Sequence, residues 1–246
     1  MATIVIQLVT LALTVTMITA AAIGTYTQAV DERLIDNCCA LGEPSSKPSG
    51  MYVINDYYKP SNLEVAAYCS EGGWLVIQKR QDASVDFNRT WVEYENGFGS
   101  FTTEFWYGLK SLNYLTNKGT WEMMIDLELT DGTSISLHYK KFRVGPADEM
   151  YTLTIGEFQG TTDDPMAHHN GMRFTTKDVD NDRMTYSNCD LYRGPEEPTG
   201  GWWYNSCWHI NPNMLLEDNT SGLALNNNWY GFNSVQMKMR PLDCIL

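Results

Sequence analysis

The sequence predicts an α+β domain built around a central antiparallel sheet, and three observations carry that expectation. The run "WEMMIDLEL" sets Trp121, Met123, Ile125, Leu127 and Leu129 on one face. Asp131-Gly132 then turns the chain into "TSISLHYKKF", which alternates Ile135, Leu137 and Tyr139. Side chains alternate across a strand with a period of two, so this reads as a hairpin carrying its own turn residues. Near the C-terminus "SVQMKMR" repeats the alternation through Val235, Met237 and Met239. Short helices come from "TWVEYENGFG" and "TEFWYGLKSLNYL", whose aromatics recur at helical spacing, with Gly97 as a stop signal.

From the N-terminus, the first charged side chain is Asp31. The apolar, Thr-rich run before it ends in Ala20-Ala21-Ala22, and residues 1–22 read as a secretory signal cleaved at small residues. The alternative is an uncleaved anchor, since about 20 apolar residues span a bilayer. Residues 23–36 read as a short polar linker, too short for a coiled coil or a collagen-like stalk. "MYVIN" and "WLVIQKR" follow as short β-rich runs, then the helical segments and the hairpin. From "DNDRM" to "NNNWYGF" periodicity fails, and this stretch holds Pro195, Pro198, Gly200, Gly201, Trp202 and Trp203. A loop of that length in a compact domain is functional or stapled, and Cys189 with Cys207 is available as the staple.

The chain of 246 residues is 43% hydrophobic, enough apolar material for a core. Its formal net charge of −13 argues against binding a phosphate backbone and favours attraction of cations. Secretion makes the six cysteines (38, 39, 69, 189, 207 and 244) disulfide candidates, and the absence of a Cys-x-x-Cys pair argues against zinc. Asn88 and Asn219 head Asn-x-Ser/Thr sequons and are candidate glycosylation sites.

The acidic run "KDVDNDRMTYSNC" alternates Asp178, Asp180 and Asp182. It opens like an EF-hand, but Arg183 stands where the turn glycine belongs and Cys189 where the bidentate Glu belongs. Spacing alone leaves a looser calcium loop and a solvated polar loop as alternatives. His168-His169 has no carboxylate or thiolate at ligand spacing and reads as a solvated pair; His138 reads as a surface strand position. No Gly-x-Ser-x-Gly, His-Glu-x-x-His or phosphate-cradling glycine loop occurs, so a non-enzyme is expected. Aromatics crowd the second cysteine pair: Tyr192, Trp202, Trp203, Tyr204, Trp208, Trp229 and Tyr230. Such a cluster beside a rigid bridge can form a pocket for apolar sugar faces or methyl groups. Trp202 and Trp203 read as core filling.

The runs "SGMYVI", "YCSEGGWLVIQKRQDASVDFNRTWVEYENGFGSFTTEFWYGL", "GMRFTTKDVDNDR", "NCDLY", "GGWWYNSCWHINPN" and "VQMKMRP", with "CAL" from Cys39, resemble the fibrinogen C-terminal (fibrinogen-related) domain family, which includes ficolins and tachylectins. The resemblance covers residues 37–242. It implies one globular domain with an N-terminal disulfide-bonded part, a central antiparallel sheet with helices, and an irregular C-terminal calcium- and ligand-binding region. It implies the pairs Cys39–Cys69 and Cys189–Cys207. It also implies calcium held by Asp180 and Asp182 with carbonyls of Met184 and Tyr186, Asp178 serving the turn. The family often has a cis bond before the second cysteine, here Ser206–Cys207. Ligand-lining candidates are Tyr192, Ser206, Cys207, Trp208, His209, Trp229 and Tyr230.

Departures from the family pattern are Trp208 where a histidine is usual, a longer segment from Asp182 to Cys189, a longer Cys189–Cys207 loop, Asn211-Pro212-Asn213-Met214 for "NLNG", and no tyrosine shortly before Gly222. Cys38 and Cys244 fall outside the family pairs and either pair together or link chains into an oligomer. The implied function is a secreted, calcium-binding, lectin-like protein of innate immunity that recognises acetylated or other glycans. The alternative is an extracellular protein-binding or matrix module. Neither nucleic acid nor stable membrane insertion after signal cleavage is expected.

Overall fold

The computed structural model describes residues 31–35, 38–41, 49–55, 64–194, 199–214, 222–226 and 228–244. The signal (1–22) and the first part of the linker lie outside them. In chain order the strands are β1 (Asp31–Ile35), β2 (Gly50–Asn55), β3 (Glu64–Ser70), β4 (Trp74–Arg80), β5 (Phe98–Gly99), β6 (Phe105–Trp106), β7 (Trp121–Leu129), β8 (Ser134–Val144), β9 (Leu153–Gln159), β10 (Leu223–Leu225), β11 (Asn228–Tyr230) and β12 (Phe232–Pro241). The α-helices are α1 (Trp91–Asn96) and α2 (Leu109–Thr116). The ten-stranded sheet runs β1-β2-β3-β4-β12-β7-β8-β9, with β6 attached to β4 and β5 to β6, while β10 and β11 pair separately. All pairings in the large sheet are antiparallel except β1 with β2.

The expected hairpin is β7–β8; the five alternating residues of β7 are all buried, as are Leu137 and Tyr139 of β8, while Ile135 is half-buried. The last strand, β12, enters the middle of the sheet between β4 and β7. There Val235, Met237 and Met239 face Leu127, Ile125 and Met123 in register, and all six are buried. Period-two alternation with one buried face fixes that register, because a one-residue slip would turn every apolar side chain to the other face.

Two element boundaries differ from the expectation. Asp31–Ile35, expected as linker, is strand β1 beside β2. The helix expected from Thr103 starts only at Leu109, because Phe105–Trp106 pairs with β4 and β5. Gly108 separates strand from helix at φ 98°, and a Cβ there would lie 2.8 Å from the Asn96 carbonyl carbon. Only glycine fits both constraints.

The first disulfide is also corrected. Cys38, not Cys39, bonds Cys69, and Cys39 bonds Cys244; Cys189–Cys207 is as expected. Since β12 lies beside β4, the chain end at Cys244 arrives at the β3–β4 turn, where Cys39 also sits. Gly73 makes room: a Cβ there would come within 3.0 Å of Cys39 Cα and 3.1 Å of Cys244 Sγ. All six cysteines are paired within the chain, so Cys38 and Cys244 neither pair with each other nor remain for an intermolecular bond.

Candidate functional site

The acidic loop is tied into the core at both ends. Thr175 and Trp202 exchange backbone hydrogen bonds, and the Arg183 N–H donates to the Asn205 carbonyl at 2.9 Å. Inside the loop the Asn181 N–H donates to Thr175 Oγ1 at 3.0 Å, and its Nδ2 donates to the Phe174 carbonyl at 2.8 Å. Asp178 turns away from its neighbours. Its Oδ1 accepts from the Trp91 N–H at the start of α1 (2.9 Å) and from the Thr176 hydroxyl (2.8 Å).

Asp182 is the organising residue. Oδ1 accepts the Met184 N–H and Oδ2 the Cys189 N–H, both at 2.7 Å, while Asp180 Oδ1 accepts the Asp182 N–H at 3.3 Å. Burial pushes the Asp182 carboxyl above its ordinary range, and the Asp180 charge adds to that, against the two N–H groups that favour ionisation. Each Asp182 oxygen keeps a further lone pair, and carboxylate and carbonyl oxygens are the donors a hard cation takes. Among the described residues no three His, Cys, Asp or Glu side chains gather as a metal cluster. Met184 is half-buried against the core, and the Tyr186 side chain is exposed, so only their carbonyls are at issue.

Beyond the loop, Cys189–Cys207 holds the next segment, and the Ser206–Cys207 peptide is cis, as the resemblance implied. Trp208 stands half-buried between two tyrosines: its ring meets buried Tyr204 at 5.9 Å and exposed Tyr192 at 6.0 Å, the latter at 87°. Tyr204 is anchored through its hydroxyl to Thr199 Oγ1, the Asn211 amide and the Gly200 carbonyl. Trp202 and Trp203 are fully buried core residues, as expected, and Trp203 Nε1 donates to the Tyr151 carbonyl at 2.7 Å.

His209 takes the opposite direction from Trp208. Ile210 bridges Leu223, the Ala224 N–H donates to the His209 carbonyl at 2.7 Å, and Ala224 pairs with Trp229. His209, Ala224 and Trp229 therefore lie abreast, with His209 and Trp229 exposed; Ile210, Leu223 and Tyr230 form the inner row. His168 stacks on His209 with ring centroids 4.0 Å apart and planes 13° from parallel. The seven lining residues expected from the sequence thus divide. Tyr192, Ser206, Cys207 and Trp208 gather beside the disulfide, His209 and Trp229 line another face with His168, and Tyr230 is half-buried in the inner row.

The solvated pair expected at His168-His169 is half wrong. His169 is fully buried, with Nδ1 donating to the Trp203 carbonyl at 2.8 Å and Nε2 accepting from the His209 and Ile210 N–H groups. Asp190 is a second buried group that sequence reading passed over; its carboxyl lies under the same segment with Oδ1 unpartnered. Neither carries a periodic signal, because both sit in irregular chain. Asn88 is half-buried just before α1, and Asn219 lies outside the described residues.

The family described as "Fibrinogen beta and gamma chains, C-terminal globular domain" matches residues 35–242. The chain belongs to the fibrinogen C-terminal domain family. This fibrinogen domain is 37% identical over 235 residues to fibrinogen-like protein 1 of Rattus norvegicus, covering 85% of this chain and 72% of that protein. It superposes on the fibrinogen-like globe domain of human ANGPTL6 with a TM-score of 0.74 at 30% identity, covering 87% of this chain and 99% of that one. Lamprey fibrin D-dimer, solved with the peptide ligand Gly-His-Arg-Pro-amide, matches with a TM-score of 0.71 at 27% identity over 92% of this chain and 80% of its own. No helix among the described residues is long and apolar enough to cross a membrane.

Proposed function

We propose that this fibrinogen domain is an extracellular, non-enzymatic recognition protein that binds acetylated or related glycans at the Tyr192–Trp208 surface. Three disulfides suit an oxidising compartment. The observation that carries the reading is Trp208. It is braced from below by buried Tyr204, and exposed Tyr192 meets it at right angles. Two aromatic walls beside a disulfide offer apolar contact to a sugar face or methyl group, and the exposed Ser206 adds a polar group for orientation.

Asp180 and Asp182, with the Met184 and Tyr186 carbonyls, would hold calcium. The ion would supply positive charge between two neighbouring carboxylates. The chain's own part is to fix the loop: Asp182 closes a turn onto Met184 and Cys189, and the Cys189 end leads directly into the disulfide beside Trp208. Cation affinity and the position of the aromatic surface are linked through that connection.

The test is retention of the purified protein on an N-acetylated resin with calcium and then with EDTA. Calcium-dependent retention released by free acetate, and lost in Trp208→Ala, supports the reading. No retention by a protein that still binds calcium overturns it. The second reading, a protein- or peptide-binding module, is favoured by Tyr186 at 96% and Tyr192 at 62% exposure, since large exposed aromatics suit a protein contact. The peptide ligand of the lamprey relative points the same way.

A further inference from the structure

A cavity of about 430 Å³ opens where the acidic loop meets the start of β9, lined by Thr152, Met172, Arg173, Asn181, Asp182 and Arg183 among others. The volume is that of a small-molecule site and not of a flat contact. Arg173 and Arg183 are both exposed, and among the described residues neither guanidinium makes a hydrogen bond or ion pair. Asp182 lines the same cavity, its oxygens accepting the Met184 and Cys189 N–H groups, and among the described residues it forms no ion pair with either arginine.

The roots of the two arginines are fixed. The Arg183 N–H is bonded to the Asn205 carbonyl. Arg173 is held on either side, where the Met172 carbonyl accepts the Leu153 N–H and the Phe174 N–H donates to the Met150 carbonyl, at 2.9 and 3.0 Å. Anchored backbone with unengaged planar forks suits carboxylate recognition, since each guanidinium can give two parallel N–H bonds. Asn181 adds an acceptor: its Nδ2 and backbone N–H point inward to Phe174 and Thr175, while its Oδ1 accepts no hydrogen bond among the described residues. Buried Met172 gives an apolar wall.

The net charge of −13 decides between ligand sizes. A long polyanion would meet repulsion from the rest of the surface, whereas a ligand with one carboxylate faces two guanidiniums against the single Asp182 carboxylate in the same lining, a local excess of positive charge. We propose that this cavity binds a sugar acid: its carboxylate between Arg173 and Arg183, a ring hydroxyl donating to Asn181 Oδ1, and its apolar edge against Met172. The site is separate from the Tyr192–Trp208 surface, although it shares Asp182 with the calcium loop proposed above.

Isothermal titration of the calcium-loaded full chain with glucuronate, glucose and acetate tests this. Glucuronate should bind, glucose should not, and acetate should bind at least about tenfold more weakly because it lacks the hydroxyls. Arg173→Gln and Arg183→Gln should each lower glucuronate affinity by about tenfold or more, as loss of a charge-assisted pair does. Arg183→Lys, which keeps the charge and loses the fork, should fall between. Both arginines are exposed, so unfolding curves should match the parent, and retention on N-acetylated resin should stay as in the parent. Absence of glucuronate binding, equal binding of acetate and glucuronate, or Gln variants that bind like the parent would each overturn the proposal.

Discussion

His169 Nε2 accepts the backbone N–H of His209 at 3.2 Å, joining two segments forty residues apart. The same nitrogen accepts the Ile210 N–H at 3.3 Å, and Nδ1 donates to the Trp203 carbonyl. This network assigns one neutral tautomer, because a proton on Nε2 would confront two N–H donors. Burial is the largest cause that pushes the His169 pKa down, to about 3.

The sign follows from linkage. A histidine protonated near 6.5 when unfolded and near 3 when folded contributes stability that is full above pH 6.5 and lost as pH falls towards 3. The whole span is worth about 4–5 kcal/mol at about 1.4 kcal/mol per pH unit. His169→Gln should remove that dependence, measured by denaturant unfolding between pH 4 and 7. It should also cost about 1–3 kcal/mol at pH 7 by leaving buried N–H groups poorly satisfied. A variant with the parent's pH slope would contradict the assignment.

Asp190 titrates with the opposite sign. Burial raises its carboxyl to about 7, against the Gly200, Lys177 and Thr199 N–H groups and the Lys177 charge, with the Tyr94 and Tyr204 hydroxyls also facing it. A carboxyl whose folded value lies above its unfolded one contributes stability that is present below about pH 4 and lost as pH rises through 7. Between pH 4 and 6.5 the two groups offset each other in the parent. Asp190→Asn should expose the histidine slope, stability rising with pH, whereas His169→Gln should leave the aspartate slope, stability falling with pH. Parallel slopes in the two variants would defeat both assignments.

The legible parts of the sequence are those where periodicity or turn chemistry is decisive. The β7–β8 hairpin and β12 followed from period-two alternation, and Gly97 marked the end of α1. The α2 start did not follow, because Phe105 and Trp106 fit a helical spacing and a strand equally well until β4 is placed beside them. Adjacent Cys38 and Cys39 could not be told apart, since only the central position of β12 brings Cys244 to Cys39. At the candidate site, the carboxylates and the Tyr192–Trp208 pair were visible as residue types. The turn of His209 away from Trp208 and the burial of His169 were not, because irregular chain gives no rule for which side chain points inward.

The Cys39–Cys244 bridge closes a sequence separation of 205 residues. In the chain-entropy account a loop of that size restricts the unfolded state strongly, and the other bridges already restrict part of it. Cys244→Ser should therefore lose roughly 3–5 kcal/mol while keeping the sheet. Cys38 and Cys39 stay on one peptide in a digest, so single variants decide the pairing: thiol labelling of unfolded Cys39→Ser should mark Cys244 and leave Cys69 bonded. Labelling of Cys69 in that variant would restore the pairing implied by the resemblance.

Glu104 provides the strongest test of how the sheet supports the site. It is fully buried, and its Oε1 accepts the N–H groups of Gln81, Asp82 and Ala83 while Oε2 accepts that of Val85. Buried Arg80 lies 3.6 Å away, stacks 4.0 Å over Phe87, and donates to the Asn213 and Met214 carbonyls at 2.9 and 2.8 Å. Burial pushes the Glu104 carboxyl up, but those N–H groups and Arg80 outweigh it and hold the group below its ordinary range. Its contribution is present above about pH 4.5 and lost as pH falls further. Glu104→Ala leaves the Arg80 charge buried and four N–H groups without their acceptor, at a cost of about 3–5 kcal/mol. Because Arg80 also holds Asn213 and Met214, the damage should reach the segment carrying Trp208 and His209. Hydrogen exchange should then quicken at Asn211 and Asn213 as well as at Gln81 to Val85. Faster exchange confined to the latter would mean that Arg80 holds the C-terminal segment without Glu104.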